Sequence, residues 1–338
     1  MSYCRLKAKV VIPSLEFIMR DPFIDQSKGI LIFLVVFGHF LERLIGWGTE
    51  ESRTLLSSIY AIHMPAFIFI SGMLFKNKNI LEKVSYFLSL LIPFQLFYLL
   101  LNYVLTGHWS STWWYQPYWI LWYLLGMIFW ALLLPLVLKS RYPLFIAVSA
   151  AMLIGFSPIN NYILSIGRVF TFFPFFVLGH LYGQTWFQWL KQYPKTRLLG
   201  LVTLIAIALV FYAVPISSGW LYGSYSYSQL NQHGLMALGT RLILMVISVV
   251  GCVALFALTP RFKFSPLVQL GQNTLAVYLL HGFVVILIAQ LIKLTGTIEF
   301  NLLLCLLLSV VTCFVLQQNL LSRMIEKLSQ LLRLQKSG

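Results

Sequence analysis

The stretch Phe23–Phe40, FIDQSKGILIFLVVFGHF, places a lysine near the start of an aliphatic run and a histidine eleven residues later. On an α-helix that spacing falls about 20° from a whole number of turns, so Lys28 and His39 share a face roughly 16 Å apart along the axis. Asp25 precedes Lys28 by three residues and Glu42 follows His39 by three, close to the same stripe. A second histidine, His63, lies a few residues into the next apolar run. An ionisable group in lipid costs at least about 2–3 kcal/mol, so each of these needs a partner or a job.

The chemistry open to such a set is proton transfer. A neutral His39 takes a proton from a hydroxyl as that hydroxyl attacks an acyl carbon. Glu42 either holds the imidazole in one tautomer or pairs with Arg43 or Arg53, and the spacing leaves both open. His63 would assist, or donate to the developing oxyanion. At the other end, Lys28 with Lys76, Lys78 and Lys83 makes a cationic mouth, with Asp25 steadying Lys28, and a phosphate-bearing ligand would find positive charge there. The plainer reading of the three loop lysines is topological.

The elements that must carry these residues are membrane helices. Of the 338 residues, 59% are hydrophobic and 10% charged, with a mean hydropathy of +0.85. A soluble domain carries about 25% charged residues, so the solvent is a bilayer. Ten candidate spans are read, at 28–46, 56–75, 83–106, 117–138, 143–158, 165–186, 197–215, 236–258, 269–292 and 299–320. With both termini cytoplasmic, every Lys and Arg except Arg43, Arg53, Arg168, Arg241 and Lys293 falls on the inner side, a strong positive-inside bias. The expected class is an all-α membrane protein: a tail at 1–27, a ten-helix domain at 28–321 and a tail at 322–338.

The net charge of +15 is spread over short loops rather than a groove, which points to topology and membrane lipid and away from nucleic acid. Cys4, Cys252, Cys305 and Cys313 form no CxxC pair, and no metal site is expected. Met1–Arg20 lacks an apolar stretch followed by a cleavage site, so the first span is expected to direct insertion.

Two outer loops, TGHWSSTWWYQPYW and ISSGWLYGSYSYSQLNQHG, carry no acidic residue, no Lys and no Arg, and are dense in Trp, Tyr, Ser and Gln. They read as an interfacial aromatic belt or as a surface for sugar rings, with Trp113 and nearby Trp122 as candidates. Arg168 and Arg241 enter from the outer face and would bind an anionic acceptor or snorkel to the interface. His281 shares the intramembrane argument of His39, and His180 reads as structural.

FIDQSKGILIFLVVFGHF followed by IYAIHMPAFIFISGMLFK resembles the first two helices of the integral-membrane acyltransferase-3 family, nearest its fucose 4-O-acetylase-like branch. Weaker echoes are YWILWYLLGMIF, FFPFFVLGHLYG and LGQNTLAVYLLHG. The resemblance implies ten helices and transfer of an acyl group, usually acetyl, from cytoplasmic acyl-CoA to hydroxyls of cell-surface sugars, in the cytoplasmic membrane. It agrees with a catalytic His39 aligned with Lys28; the residue pattern adds His63 and Glu42 to the expected catalytic set, and Asp25, Lys76 and Lys78 to the acyl-CoA mouth at Lys28. The acceptor, a carbohydrate or glycolipid, would meet Arg168, Trp122, Trp113 and His281. In many members a basic residue, usually arginine, precedes the histidine by eleven; lysine here lacks the bidentate fork. An arginine-rich motif after the second helix, present in some members, is replaced by lysines and Glu82. The alternative from the spans alone is a transporter of glycans or lipid-linked sugars.

Overall fold

The structure, a computed structural model, describes residues 21–333, so Cys4 and the basic residues at Arg5, Lys7, Lys9, Arg20 and Lys336 lie outside the described residues. The described chain is helical without strands. In order, the helices are α1 (Pro22–Leu44), α2 (Glu50–Leu74), α3 (Ile80–Thr106), α4 (Trp122–Val137), α5 (Pro143–Leu153), α6 (Ile166–Gln192) and α7 (Thr196–Ala213). There follow α8 (Ser218–Tyr222), α9 (Gly234–Leu258), α10 (Ser265–Gln272), α11 (Thr274–Leu291), α12 (Ile298–Leu316) and α13 (Asn319–Leu332).

Among the described residues, nine helical stretches are long and apolar enough to cross a membrane; 143–156 is the shorter, remaining one. It still makes a crossing. The start of α4 and the start of α6 both line one cavity with the end of α1, so the chain between them must return across the bundle. That return is α5 with the 3-10 turn Ile154–Phe156. Nine long apolar stretches and this shorter return make a multi-pass membrane protein.

α1 begins at Pro22, six residues before the expected span, because Asp21 caps it through Phe23 N at 2.9 Å and Pro22 suits the first turn. At the other end, α13 extends helix to Leu332 within the stretch expected as a tail. The expected ninth span is broken at Asn273 into α10 and α11.

Close backbone approaches fix the helices around the site. A Cβ on Gly271 would lie 1.7 Å from the Asp25 carbonyl oxygen, and one on Gly29 would lie 2.4 Å from that of Leu267, so α1 and α10 meet main chain to main chain. α2 and α6 do the same at Gly72 against Phe176 O, 2.0 Å, and Gly179 against Phe69 O, 1.9 Å. The crossings make α2 the innermost span, with 72% of its apolar window buried, whereas α7 and α12, at 17% and 22%, turn mostly outward to lipid.

The polar residues of FIDQSKG are absorbed by this crossing. Gln26 Nε2 donates to Pro260 O at 2.9 Å and its Oε1 accepts from Phe264 N at 2.7 Å. Ser27 bonds Thr259 at 2.9 Å and Phe23 O at 2.9 Å. These bonds lock the inner end of α1 to the loop before α10.

Candidate active site

A cavity of about 350 Å³ opens between the outer ends of α1, α2, α4 and α6 and is roofed by α8. Its lining includes His39, Glu42, Arg43, Tyr60, His63, Trp119, Trp122, Tyr162, Arg168 and Tyr222. The eleven-residue spacing read from the sequence thus places His39 where a polar chamber forms, and the structure brings His39, His63, Glu42, Arg168 and Trp122 together.

The hydrogen bonds fix the His39 tautomer. Tyr60 donates its one hydroxyl proton to Glu42 Oε2 at 2.5 Å. The 3.2 Å contact between the Tyr60 oxygen and His39 Nδ1 must then be donated by the imidazole, so Nδ1 carries the proton. Nε2 is left with the lone pair. Glu42 Oε2 also lies 3.5 Å from His39 Nδ1, and Tyr222 donates to its other oxygen, Oε1. Of the two readings open for Glu42, the structure supports the one in which it sets the tautomer, through Tyr60. Arg43 instead lies over the Trp119 ring at 4.5 Å, and Arg53 faces Glu50 at 3.8 Å.

His63 is buried, and its Nδ1 donates to Ile59 O at 2.7 Å. That leaves Nε2 as an acceptor, so neutral His63 fits proton acceptance and not the oxyanion-donor option. Two arginines line the chamber, Arg43 and Arg168, and Arg168 is tied into its wall. Its Nε donates to Tyr222 O at 3.2 Å, and its guanidinium lies over Trp122 at 5.2 Å and Tyr162 at 5.9 Å. The Trp122 face expected to meet a sugar is therefore already covered by Arg168.

Other expectations land elsewhere. His281 does not line the chamber; it is fully buried behind it, stacked on His39 with ring centroids 5.4 Å apart and planes 18° apart. Its Nδ1 donates to Val277 O at 2.9 Å, and its Nε2 has no hydrogen-bond partner among the described residues. Trp113 is half-exposed in the loop after α3 and away from the chamber. Arg241 does not snorkel; it is buried, bonded to Thr171 Oγ1 at 2.6 Å and set against the rings of Trp220 and Tyr227. His180, read as structural, lies 3.3 Å from Gly72 O.

A second cavity, about 540 Å³, lies toward the inner end. Lys28, Lys76 and Lys83 contribute to it, while Phe67, Ile70, Leu74, Leu124, Met127 and Leu275 make its walls apolar. Asp25 holds Lys28 Nζ at 2.8 Å and accepts from Gln272 at 3.2 Å, so it is a support behind the lysine, not a wall of the cavity. Lys78 does not line this cavity either; its carbonyl accepts from Lys83 Nζ at 2.7 Å.

Sequence reasoning passed over Tyr60, Trp119, Tyr162 and Tyr222. Tyr60 had a signal, since it precedes His63 by three and so shares its helix face. Tyr222 had none beyond an aromatic loop. Outside the spans, burial and then the Glu42 carboxylate push the Tyr222 hydroxyl up from its ordinary range, which keeps it a donor.

Residues 21–317 match the family described as Acyltransferase domain (acyltransferase 3). The match covers most of the chain, and the protein belongs to this family of acyltransferases. It is similar to the nodulation protein NolL of Mesorhizobium japonicum, 31% identical over 297 residues, spanning 78% of this chain and 76% of the relative. The nodulation protein NolL of Sinorhizobium fredii is 28% identical over 315 residues, spanning 83% and 81%. No solved structure matches the chain.

Proposed function

We propose that this protein is an O-acyltransferase of the cytoplasmic membrane that moves an acetyl group from cytoplasmic acetyl-CoA to a hydroxyl of a cell-surface polysaccharide or lipid-linked sugar. The observation that carries the reading is the tautomer of His39: Tyr60, whose own proton goes to Glu42, accepts a hydrogen bond from the protonated Nδ1 and leaves Nε2 basic inside a polar chamber. A lysine-rimmed cavity at the far end of the same helix suits a phosphate-bearing carrier with an apolar-walled space for its arm.

In this reading His39 Nε2 accepts the proton of the acceptor hydroxyl as its oxygen attacks the thioester carbonyl carbon. Arg168 faces the negative charge that develops on the carbonyl oxygen. The carbon–sulfur bond then breaks, and His39 returns the proton to the departing thiolate. Glu42, through Tyr60 and with the support of Tyr222, holds the imidazole in one orientation throughout. Lys28 meets carrier phosphate, and Asp25 aims it. A direct transfer and one through an acyl-histidine both use these groups.

The test is purified protein in lipid discs with acetyl-labelled acetyl-CoA and lipid-linked glycan acceptors. The expected result is acetylated glycan and free CoA in equal amounts. Movement of the glycan across the bilayer of sealed vesicles carrying the protein, with acetyl-CoA left intact, would favour the transporter alternative and overturn this reading.

A further inference from the structure

The two cavities lie end to end, yet they share no lining residue. The partition between them is aromatic. Tyr123 and Tyr278 line the inner cavity, are buried, and meet edge to face at 5.4 Å. Tyr278 donates its hydroxyl to the carbonyl of Ile120, a residue of the outer chamber. Phe67 closes against Tyr123 at 5.7 Å, one turn below Met64 of the outer chamber. Ser71 gives its proton to Phe67 O at 2.8 Å, so the 2.6 Å bond between Ser71 and Tyr123 is donated by the tyrosine. Both phenol groups thus have their protons committed, and the ring pair is pinned from α2 and from the turn before α4.

We propose that Tyr123 and Tyr278 determine which acyl group passes from the inner cavity to the outer chamber, and keep chamber water off the thioester until it passes. This rests on the acyl-CoA reading above, and it adds the residues that set acyl size. The inner cavity is too roomy and too apolar to select acetyl by itself. The small opening that parting one pair of rings would make is the point where one added methylene is felt. Such a methylene typically changes discrimination by about 10- to 200-fold in an apolar site. Tyr278 also sits three residues before His281, whose ring stacks on His39, so a shift of α11 that parts the tyrosines reaches the base as well.

A leaking partition has a defined product. Water in place of the acceptor hydroxyl attacks the thioester carbon, the carbon–sulfur bond breaks, and carboxylic acid and thiol are released. No oxidant or further reagent is needed.

The experiment uses the full chain in lipid discs with acetyl-CoA and butyryl-CoA, with and without acceptor glycan. The variants are Tyr278→Leu and Tyr123→Leu. The wild type is expected to prefer acetyl and to release little free acid without acceptor. Each variant that elutes as a single species should raise the butyryl-to-acetyl ratio of kcat/KM at least tenfold, and raise acceptor-independent hydrolysis. Tyr278→Phe keeps the ring and loses only the bond to Ile120, so it should retain the wild-type ratio. Leucine variants that transfer acetyl with an unchanged ratio and no extra hydrolysis would overturn the proposal. If both leucine variants fail to accumulate, the Phe variant decides: loss of acetyl preference there would mean that ring size is not the selector. Absence of any transfer or hydrolysis by the wild type would instead defeat the acyl-CoA reading, a separate result.

Discussion

The outer and inner cavities sit on the same helix and are built on opposite principles. The outer chamber is compact, about 350 Å³, and its polar groups are cross-braced: His39, Tyr60, Glu42, Tyr222, Trp47 and Arg168 form a continuous series of hydrogen bonds and contacts. The inner cavity is larger, about 540 Å³, and apolar, with charge confined to lysines at its edge. A braced polar site keeps a few groups in one geometry, as acid–base chemistry requires. A greasy cavity with cations at its rim seats a long ligand by its charged end and its apolar arm, without bracing a reacting group. In the proposed function, the difference puts chemistry at one end and carrier binding at the other.

The sharpest way to break that division is His39→Ala. It should cut kcat for sugar acetylation by about 10²- to 10⁴-fold, with acetyl-CoA binding measured by titration unchanged. A matching loss of carrier affinity would mean that the two ends are not separate. Arg168→Ala should lower kcat by about 10²-fold or more, the usual cost of losing a group that faces developing charge. Steady-state rates against acceptor concentration check it: an effect on KM alone would make Arg168 an acceptor anchor instead.

Lys28→Ala probes the other end. Loss of a charge-assisted bond, worth about 1.5–3 kcal/mol, should raise KM for acetyl-CoA roughly 10- to 100-fold and leave kcat nearly intact. Gly271→Ala tests the scaffold beneath it. The added Cβ would meet the Asp25 carbonyl at 1.7 Å, so α1 and α10 must part. Overpacking of this kind costs about 1–3 kcal/mol, seen as a lower Tm in detergent together with a weaker acetyl-CoA KM. The mildest change is Tyr222→Phe. It removes one of the two phenol donors to Glu42 and should lower kcat only several-fold, in line with about 1 kcal/mol for a single bond. A larger drop would make Tyr222 as important as Tyr60.

Much of this was legible in the chain. The Lys28–His39 spacing placed both residues on one face because helix periodicity is local and survives any packing. The multi-pass, all-helical character was legible from hydropathy and charge; the expected span at 143–158 proves to be the short helical stretch Pro143–Phe156. The coupling of Asp25 to Lys28 followed from a three-residue offset. What was not legible depends on which distant helix arrives. His281 looked like a chamber residue, and only the packing of α11 against α1 puts it behind His39. The place of Tyr222 depends on how a nineteen-residue loop (216–234) folds back over α1, and no local pattern encodes that. Arg241 reads in sequence as an anchor for an anionic acceptor or as an interfacial residue; its buried place depends on Thr171, Trp220 and Tyr227, which come from other segments.

One rigid rod, α1, carries both the cation that would seize the carrier and the base that would act on its cargo. Eleven helical rises, about 16 Å, separate the two, so the helix works as a ruler and the carrier's arm must match its graduation. A thioester cut short of that length, such as one on N-acetylcysteamine, can present the same acetyl group and still fall below the mark. It should therefore turn over poorly at any concentration, which a rate measurement with the truncated donor would read directly.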